Sequence, residues 1–190
     1  MTKLIVGLGN PGIQYEVTKH NIGWLALDQL SFYDKLIWKD KFKAKYAQLS
    51  IDGEMVVFLK PQTYMNLSGE SVVAAAQFFE VPLAEVLVVH DELDLPYGTL
   101  SFKSGGGLAG HNGLKSIAEL SGTNAFLRLR MGIGRPVHGS VSSWVLAGFD
   151  QQQEVILPEF LVGGATAIES FIKKGFNKAA SEFSKKNYIK

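Results

Sequence analysis

The chain carries four histidines, at positions 20, 90, 111 and 138, and three of them stand where chemistry is easiest to place. His20 follows Thr18-Lys19 and precedes Asn21, His90 is followed at once by Asp91, and His111 lies in Gly110-His111-Asn112-Gly113. A histidine that titrates near neutrality is the usual general base, and a buried carboxylate is its usual orienting partner. Asn10, Asn21, Asn66 and Asn112 occupy similar settings, and a neutral amide can hold an acyl group or a water without adding charge. Together these types suggest hydrolysis by an activated water, with no covalent enzyme intermediate. Each histidine taken alone is as readily a packed or hydrogen-bonded structural residue, His138 most of all.

Other chemistries find less support. The chain has no cysteine, which removes disulfides, thiolate nucleophiles and cysteine-based zinc sites. No GxSxG elbow is present, and the histidines show no HExxH or similar ligand spacing, so neither a metal nor a cofactor is expected. Gly7-Leu8-Gly9-Asn10-Pro11-Gly12 does match the dinucleotide fingerprint GxGxxG, which keeps a nucleotide-cofactor enzyme open as an alternative. Against it, Pro11 removes a backbone N–H from the phosphate cradle, and residues 13–19 open no obvious helix. In the stretch from Gly105 to Ser116, Leu114 separates the last glycine from Lys115-Ser116, which spoils a phosphate loop.

The elements that must hold these residues follow from hydrophobic periodicity. Residues 3–8 are a short apolar strand ended by Gly9-Asn10-Pro11-Gly12, and 86–89 form a fully apolar central strand that delivers His90-Asp91 at its C-terminal end. Helical spacing runs from His20 to about Phe32, with Trp24, Leu27 and Leu30 on one face. Phe42, Ala44 and Tyr46 alternate with Lys41, Lys43 and Lys45 as one half-exposed strand, and Asp52-Gly53 turns it into a strand over 55–59. Ser68 is the expected N-cap of a helix that points Val72, Val73, Ala76 and Phe79 inward. Further strands are expected over 100–103 and 127–131, a helix from Asn112 to Leu120, and a helical tail from Asp150 that Gly175 splits. The alternation predicts an α/β fold, with one domain built on a mixed, mostly parallel sheet and helices on both faces.

Composition sets the outer bounds. With 190 residues, 46% hydrophobic and 19% charged, the chain is long enough for one well-buried core. Its apolar N-terminal run is too short for a signal peptide, and no stretch is expected to span a membrane, so a cytoplasmic location is expected. The net charge of +1 hides an uneven distribution. Residues 61–102 hold six acids and no Lys or Arg, whereas 103–135 hold Lys103, Lys115, Arg128, Arg130 and Arg135 against Glu119 alone. Such asymmetry admits a polyanionic partner, and a non-catalytic RNA-binding module is the second alternative.

These motifs, taken in order, resemble the bacterial-type peptidyl-tRNA hydrolase family. The resemblance rests on Val6-Gly7-Leu8-Gly9-Asn10-Pro11-Gly12, on Tyr15 with Thr18-Lys19-His20-Asn21, and on the stretch from Lys60 through Tyr64-Met65-Asn66 to Gly69. It continues through His90-Asp91-Glu92-Leu93-Asp94-Leu95-Pro96, Lys103 with Gly105-Gly106-Gly107, Gly110-His111-Asn112-Gly113-Leu114, and the run from Arg128 to Pro136. It implies one catalytic domain over 1–190, monomeric, that serves translation by cleaving the ester between a peptide and the 3′-terminal ribose of tRNA. It implies His20 as the base, Asp91 as its orienting carboxylate, and Asn10 at the acyl end. Asn66, Asn112, His111, Tyr15 and Tyr64 are implied to contact the peptide and the 3′ CCA end, and Lys103 with Arg130 to clamp the 5′-phosphate beside the acceptor stem. Arg130 could instead pair with Glu92 or Asp94. Lys19 replaces the arginine more common before the histidine, and 137–143 carries no diagnostic pattern for a cover over the acyl site. On this reading the acids of 61–102 build the crevice, the later basic residues face nucleic acid, and Asp91→Asn is expected to move the activity–pH curve upward.

Overall fold

The computed structural model describes residues 1–189. The chain opens with strand β1 (Lys3–Gly7), passes through two short 3-10 turns, and forms helix α1 (Ile22–Leu27). A hairpin region follows, with β2 (Lys39–Lys41), β3 (Ala44–Ile51) and β4 (Glu54–Pro61). Then come α2 (Ser68–Phe78), β5 (Leu87–Glu92), β6 (Thr99–Ser104), α3 (Asn112–Ser121) and β7 (Leu127–Gly132). The C-terminal part is α4 (Val141–Val145), α5 (Gln151–Lys174), α6 (Phe176–Glu182) and the short β8 (Lys186–Asn187).

All strands join one sheet in the order β2-β3-β4-β1-β5-β7-β6-β8. The centre, β4-β1-β5-β7, is parallel, and among the described strands β3 and β6 alone run against the rest. That is the mixed, mostly parallel sheet the alternation of elements predicts. Alternate residues of each strand feed two cores. Ile5, Phe58, Leu87, Val89, Leu129 and Met131 pack under α1, α5 and α6. Leu4, Val6, Val57, Leu59, Val86 and Val88 pack under α2 and α3. Buried on both faces, β5 has no exposed residue along its length, as expected of a central parallel strand.

Strand order reverses at β1: β4 lies to one side and β5 to the other. Open α/β sheets bind ligands in the crevice at the carboxyl ends of strands beside such a reversal. The loop after β1 carries Asn10, and the end of β5 carries Asp91. The topology alone therefore brings two distant motifs to one place.

Three local expectations are corrected. The helix expected over 20–32 is α-helical only over Ile22–Leu27: Lys19–Asn21 is a 3-10 turn, and Gln29 and Leu30 close with tighter i→i+3 bonds to Ala26 and Leu27. The single strand expected over 41–46 is a hairpin, because Phe42 and Lys43 both adopt left-handed φ, 60° and 54°, in a two-residue turn. Neither residue is a usual occupant; Phe42 is held there by Tyr46, Phe78 and Phe79. Ser68 begins α2 rather than capping it, and its hydroxyl donates to the Met65 carbonyl. Helix α5 is, by length and composition, apolar enough to cross a membrane, but 56% of its apolar window is buried inside the molecule, against α6 and α1 as well as β6 and β7.

Candidate active site

Asp91 organises the site. It is 2% exposed, and each of its oxygens takes one imidazole: His20 Nδ1 donates to Oδ2 at 2.8 Å, and His111 Nε2 donates to Oδ1 at 2.8 Å. The two rings lie 5.0 Å apart. A carboxylate only accepts, so His20 carries its hydrogen on Nδ1 and presents the lone pair of Nε2, which has no protein partner among the described residues.

The tautomer of His111 is fixed from its other side. As N-cap of α3, its Nδ1 accepts the backbone N–H groups of Gly113 (3.1 Å) and Leu114 (3.3 Å), so Nε2 must carry the hydrogen. His111 thus satisfies one oxygen of Asp91 and leaves the carboxylate charge to act on His20. It is a positioning group as well as a cleft-lining one. Sequence reading had no signal for this cap, because Asn112, itself a favoured N-cap type, stands at the helix start.

Burial alone would raise the Asp91 carboxyl, but His20 and His111 hold it well below the usual carboxylate range through charge and hydrogen bonding. Burial pushes His20 down, and the Asp91 charge and hydrogen bond more than reverse this, leaving it above the ordinary 6.5. The sign expected for Asp91→Asn is thereby corrected. Asp91 raises His20, so its loss moves the acidic limb of activity to lower pH. His90 points to the other side of β5; burial first, and the nearby Arg128 charge, keep it neutral, and Nδ1 donates to the Asp91 carbonyl at 2.8 Å. It packs behind His111 and does not line the cleft.

His20 forms part of the wall between two lobes of a cleft. One lobe, about 170 Å³, lies against Asp91, His111, Leu93, Ala109 and Val141. The other, about 290 Å³, is lined by Asn10, Tyr15, Tyr64, Asn66, Asn112 and Leu146. Asn112, Ser142 and Val145 border both lobes, so α4, which begins in the region with no diagnostic sequence pattern, lies over His20. Every residue expected at the acyl and CCA ends reaches this cleft.

Asn10 is held from both ends. Its backbone N–H donates to Asn21 Oδ1 (2.8 Å), and Asn21 Nδ2 donates back to its carbonyl (3.0 Å). Its side-chain Oδ1 accepts the Met65 N–H at 2.7 Å, which turns Nδ2 toward the cleft as a donor. The glycines of the GxGxxG match serve this packing: a Cβ at Gly9 would lie 2.6 Å from the Trp24 ring, and one at Gly7 2.8 Å from the Gly23 carbonyl. The loop then enters a three-residue 3-10 turn rather than the long helix a dinucleotide phosphate needs.

Lys103 and Arg130 line neither lobe. They lie on one face of the β6–β7 pair, where Lys103 faces Arg128 and Ser101 faces Arg130. Arg130 donates to Ser101 Oγ at 3.0 Å and approaches Glu92 at 4.0 Å, so the alternative pairing with Glu92 is present but loose. Arg128, which sequence reading took as one of several outward basic residues, is 1% exposed and donates to the Gly105 and Gly107 carbonyls. Arg135 pairs with Asp94 at 2.8 Å, so the basic segment does not face outward as a block. Nor do all the acids of 61–102 build the crevice: Asp91 and Glu92 reach it, while Glu70 pairs with Lys43 and Glu80 and Glu85 face solvent.

An enzyme is the class that this arrangement defines, an α/β protein with a carboxylate-oriented histidine opening on a cleft of neutral amides at a strand-order reversal. Known proteins similar to it specify the reaction. The peptidyl-tRNA hydrolase family model matches residues 4–190. Curated peptidyl-tRNA hydrolases of Pelobacter propionicus and Geotalea uraniireducens are 46% and 44% identical; each alignment covers 98% of this chain, and 97% and 98% of the relative. The crystal structure of the Acinetobacter baumannii peptidyl-tRNA hydrolase, 35% identical, superposes with a TM-score of 0.89 over 99% of this chain and 97% of that one. A peptidyl-tRNA hydrolase crystallised with n-propanol, 34% identical, also gives 0.89, over 98% and 96%. The chain belongs to the peptidyl-tRNA hydrolase family and is a hydrolase of peptidyl-tRNA.

Proposed function

We propose that residues 1–190 act as one cytoplasmic, monomeric catalytic domain in which His20 is the general base. The carrying observation is the pair of hydrogen bonds on Asp91, which leaves His20 Nε2 free at the cleft. A water gives its proton to Nε2 as its oxygen attacks the ester carbonyl carbon. The carbon–oxygen bond to the 3′-terminal ribose then breaks, and His20 returns the proton to the ribose oxygen. Asp91 stabilises the transient imidazolium, and Asn10 Nδ2 donates to the acyl carbonyl, where charge develops. Asn66 and Asn112 offer amides to the peptide backbone and the terminal nucleotide. Tyr15 and Tyr64 offer ring faces to the CCA bases, Tyr64 being 59% exposed at the cleft.

The ligand atoms of His20, Asp91 and His111 lie within 4.8 Å of one another, close enough to suggest a metal site. The hydrogen-bond pattern favours the triad instead, since both imidazoles are already oriented by Asp91. Turnover of an N-blocked aminoacyl-tRNA is therefore expected to survive EDTA and to need no nucleotide. Inactivation by chelator, reversed by one metal ion, would make these side chains ligands.

Lys103 and Arg130 are assigned to the 5′-phosphate, away from both lobes, with Lys103 the freer of the two. A charge-assisted hydrogen bond is worth roughly 1.5–3 kcal/mol, so Lys103→Ala should raise KM about tenfold or more with kcat nearly unchanged. The loss should be larger on full-length tRNA than on a 3′-terminal fragment. Arg130→Ala should show the same pattern with some loss of thermal stability from its Ser101 and Glu92 contacts. Equal losses of activity on both substrates would place these residues in the scaffold rather than on the phosphate.

A further inference from the structure

Lys19, next to the base in sequence, is 2% exposed and has no carboxylate partner within ion-pair distance among the described residues. Its ammonium instead donates to the Gly148 carbonyl at 2.6 Å and sits over the Trp144 ring, 4.0 Å from its centroid, with Phe149 at 5.8 Å. The backbone makes a parallel link, for Lys19 N–H donates to the Ala147 carbonyl at 3.0 Å. Trp144 in turn donates through Nε1 to the Gly134 carbonyl at 2.9 Å, beyond the end of β7. Trp144 lies in α4, whose Val145, together with Leu146 just after it, lines the cleft at His20. One side chain therefore ties the 3-10 turn that carries the base to the helix that covers it.

We propose that Lys19 is a positioning residue that latches the α4 cover, through Trp144 and Gly148, to the segment bearing His20. This rests on the cleft between them being where the acyl group reacts. A buried lysine is costly unless its contacts repay desolvation, and burial does push this ammonium below the usual lysine range, with Asp150 opposing the shift. A cation over an indole and a charged donor on a carbonyl are contacts of that kind. The latch fixes the distance between cover and base, so its loss misplaces the ester without altering the base itself.

The test combines Lys19→Met, which keeps the stem and removes the cation, with Trp144→Leu, the double variant and Lys19→Arg. Hydrogen–deuterium exchange of the amides over 141–148 should quicken in Lys19→Met while β5 stays protected, a readout that does not depend on the role of His20. Lys19→Met and Trp144→Leu should each lower kcat/KM on the order of tenfold, because small misplacements at a reacting centre are costly. The double variant should be no worse than either single one, the mark of a shared interaction. Lys19→Arg should restore slow exchange and most activity, and the acidic limb of the pH profile should not move in any variant. Unchanged exchange over 141–148, losses that multiply in the double variant, or a displaced acidic limb in Lys19→Met would each overturn the latch. If Lys19→Met does not fold, Trp144→Leu with the exchange measurement decides the question alone.

Discussion

His20→Ala is expected to lower kcat by about 10²–10⁴, the usual cost of removing a positioned general base, while tRNA binding stays close to that of the parent chain. The separation follows from geometry. Nε2 of His20 is the group left without a partner at the cleft, whereas the aromatic and amide groups available to the CCA end stand on other segments. A steady-state titration with N-blocked aminoacyl-tRNA, paired with a binding measurement on deacylated tRNA, checks it. Activity within a factor of three of the parent would remove His20 from the base role.

Asp91→Asn should be nearly as damaging, for a different reason. The amide keeps the shape but offers only one acceptor oxygen, so it cannot accept from both His20 Nδ1 and His111 Nε2. It also removes the negative charge that offsets burial around His20. By analogy with the carboxylate of a serine triad, a kcat loss of about 10²–10⁴ is expected. The sign of the pH effect is set as well. His20 must be neutral to accept a proton, and Asp91 raises its pKa above 6.5, so the acidic limb of kcat/KM lies above that value in the parent chain. With Asp91 gone, burial dominates, and the residual activity should show an acidic limb at lower pH. An unshifted limb with full activity would make Asp91 a packing residue.

Much of this was legible in the residues, because the pieces that carry chemistry are local. A strand ended by Gly9-Asn10 and an apolar strand ended by His90-Asp91 each announce themselves, and alternation of elements implies a parallel sheet with a crevice at those ends. What was not legible depends on contacts between distant segments. Nothing near Phe42-Lys43 signals a left-handed turn, since two of the three aromatic neighbours that hold it, Phe78 and Phe79, arrive from the end of α2. The alternation of β7 correctly placed Arg128 off the Leu129 face, but only the sheet shows that this other face is buried there. Asn21 read as one amide among four, yet it acts by gripping the backbone of Asn10 eleven residues earlier. The cover at α4 was silent because its fixing partners, Lys19 and Gly134, belong to other parts of the chain.

The central claim is that His20 is a neutral Nδ1–H imidazole, raised by Asp91, whose free Nε2 takes the proton from water. Nitrogen-15 NMR of the histidine rings, followed through a pH titration beside the pH dependence of kcat/KM, tests it most directly. The account predicts that His20 shows the Nδ1–H tautomer, titrates above 6.5, and does so at the pH of the kinetic acidic limb, both falling together in Asp91→Asn. A His20 that carries its hydrogen on Nε2, or one whose titration and kinetic limb part company, would contradict it.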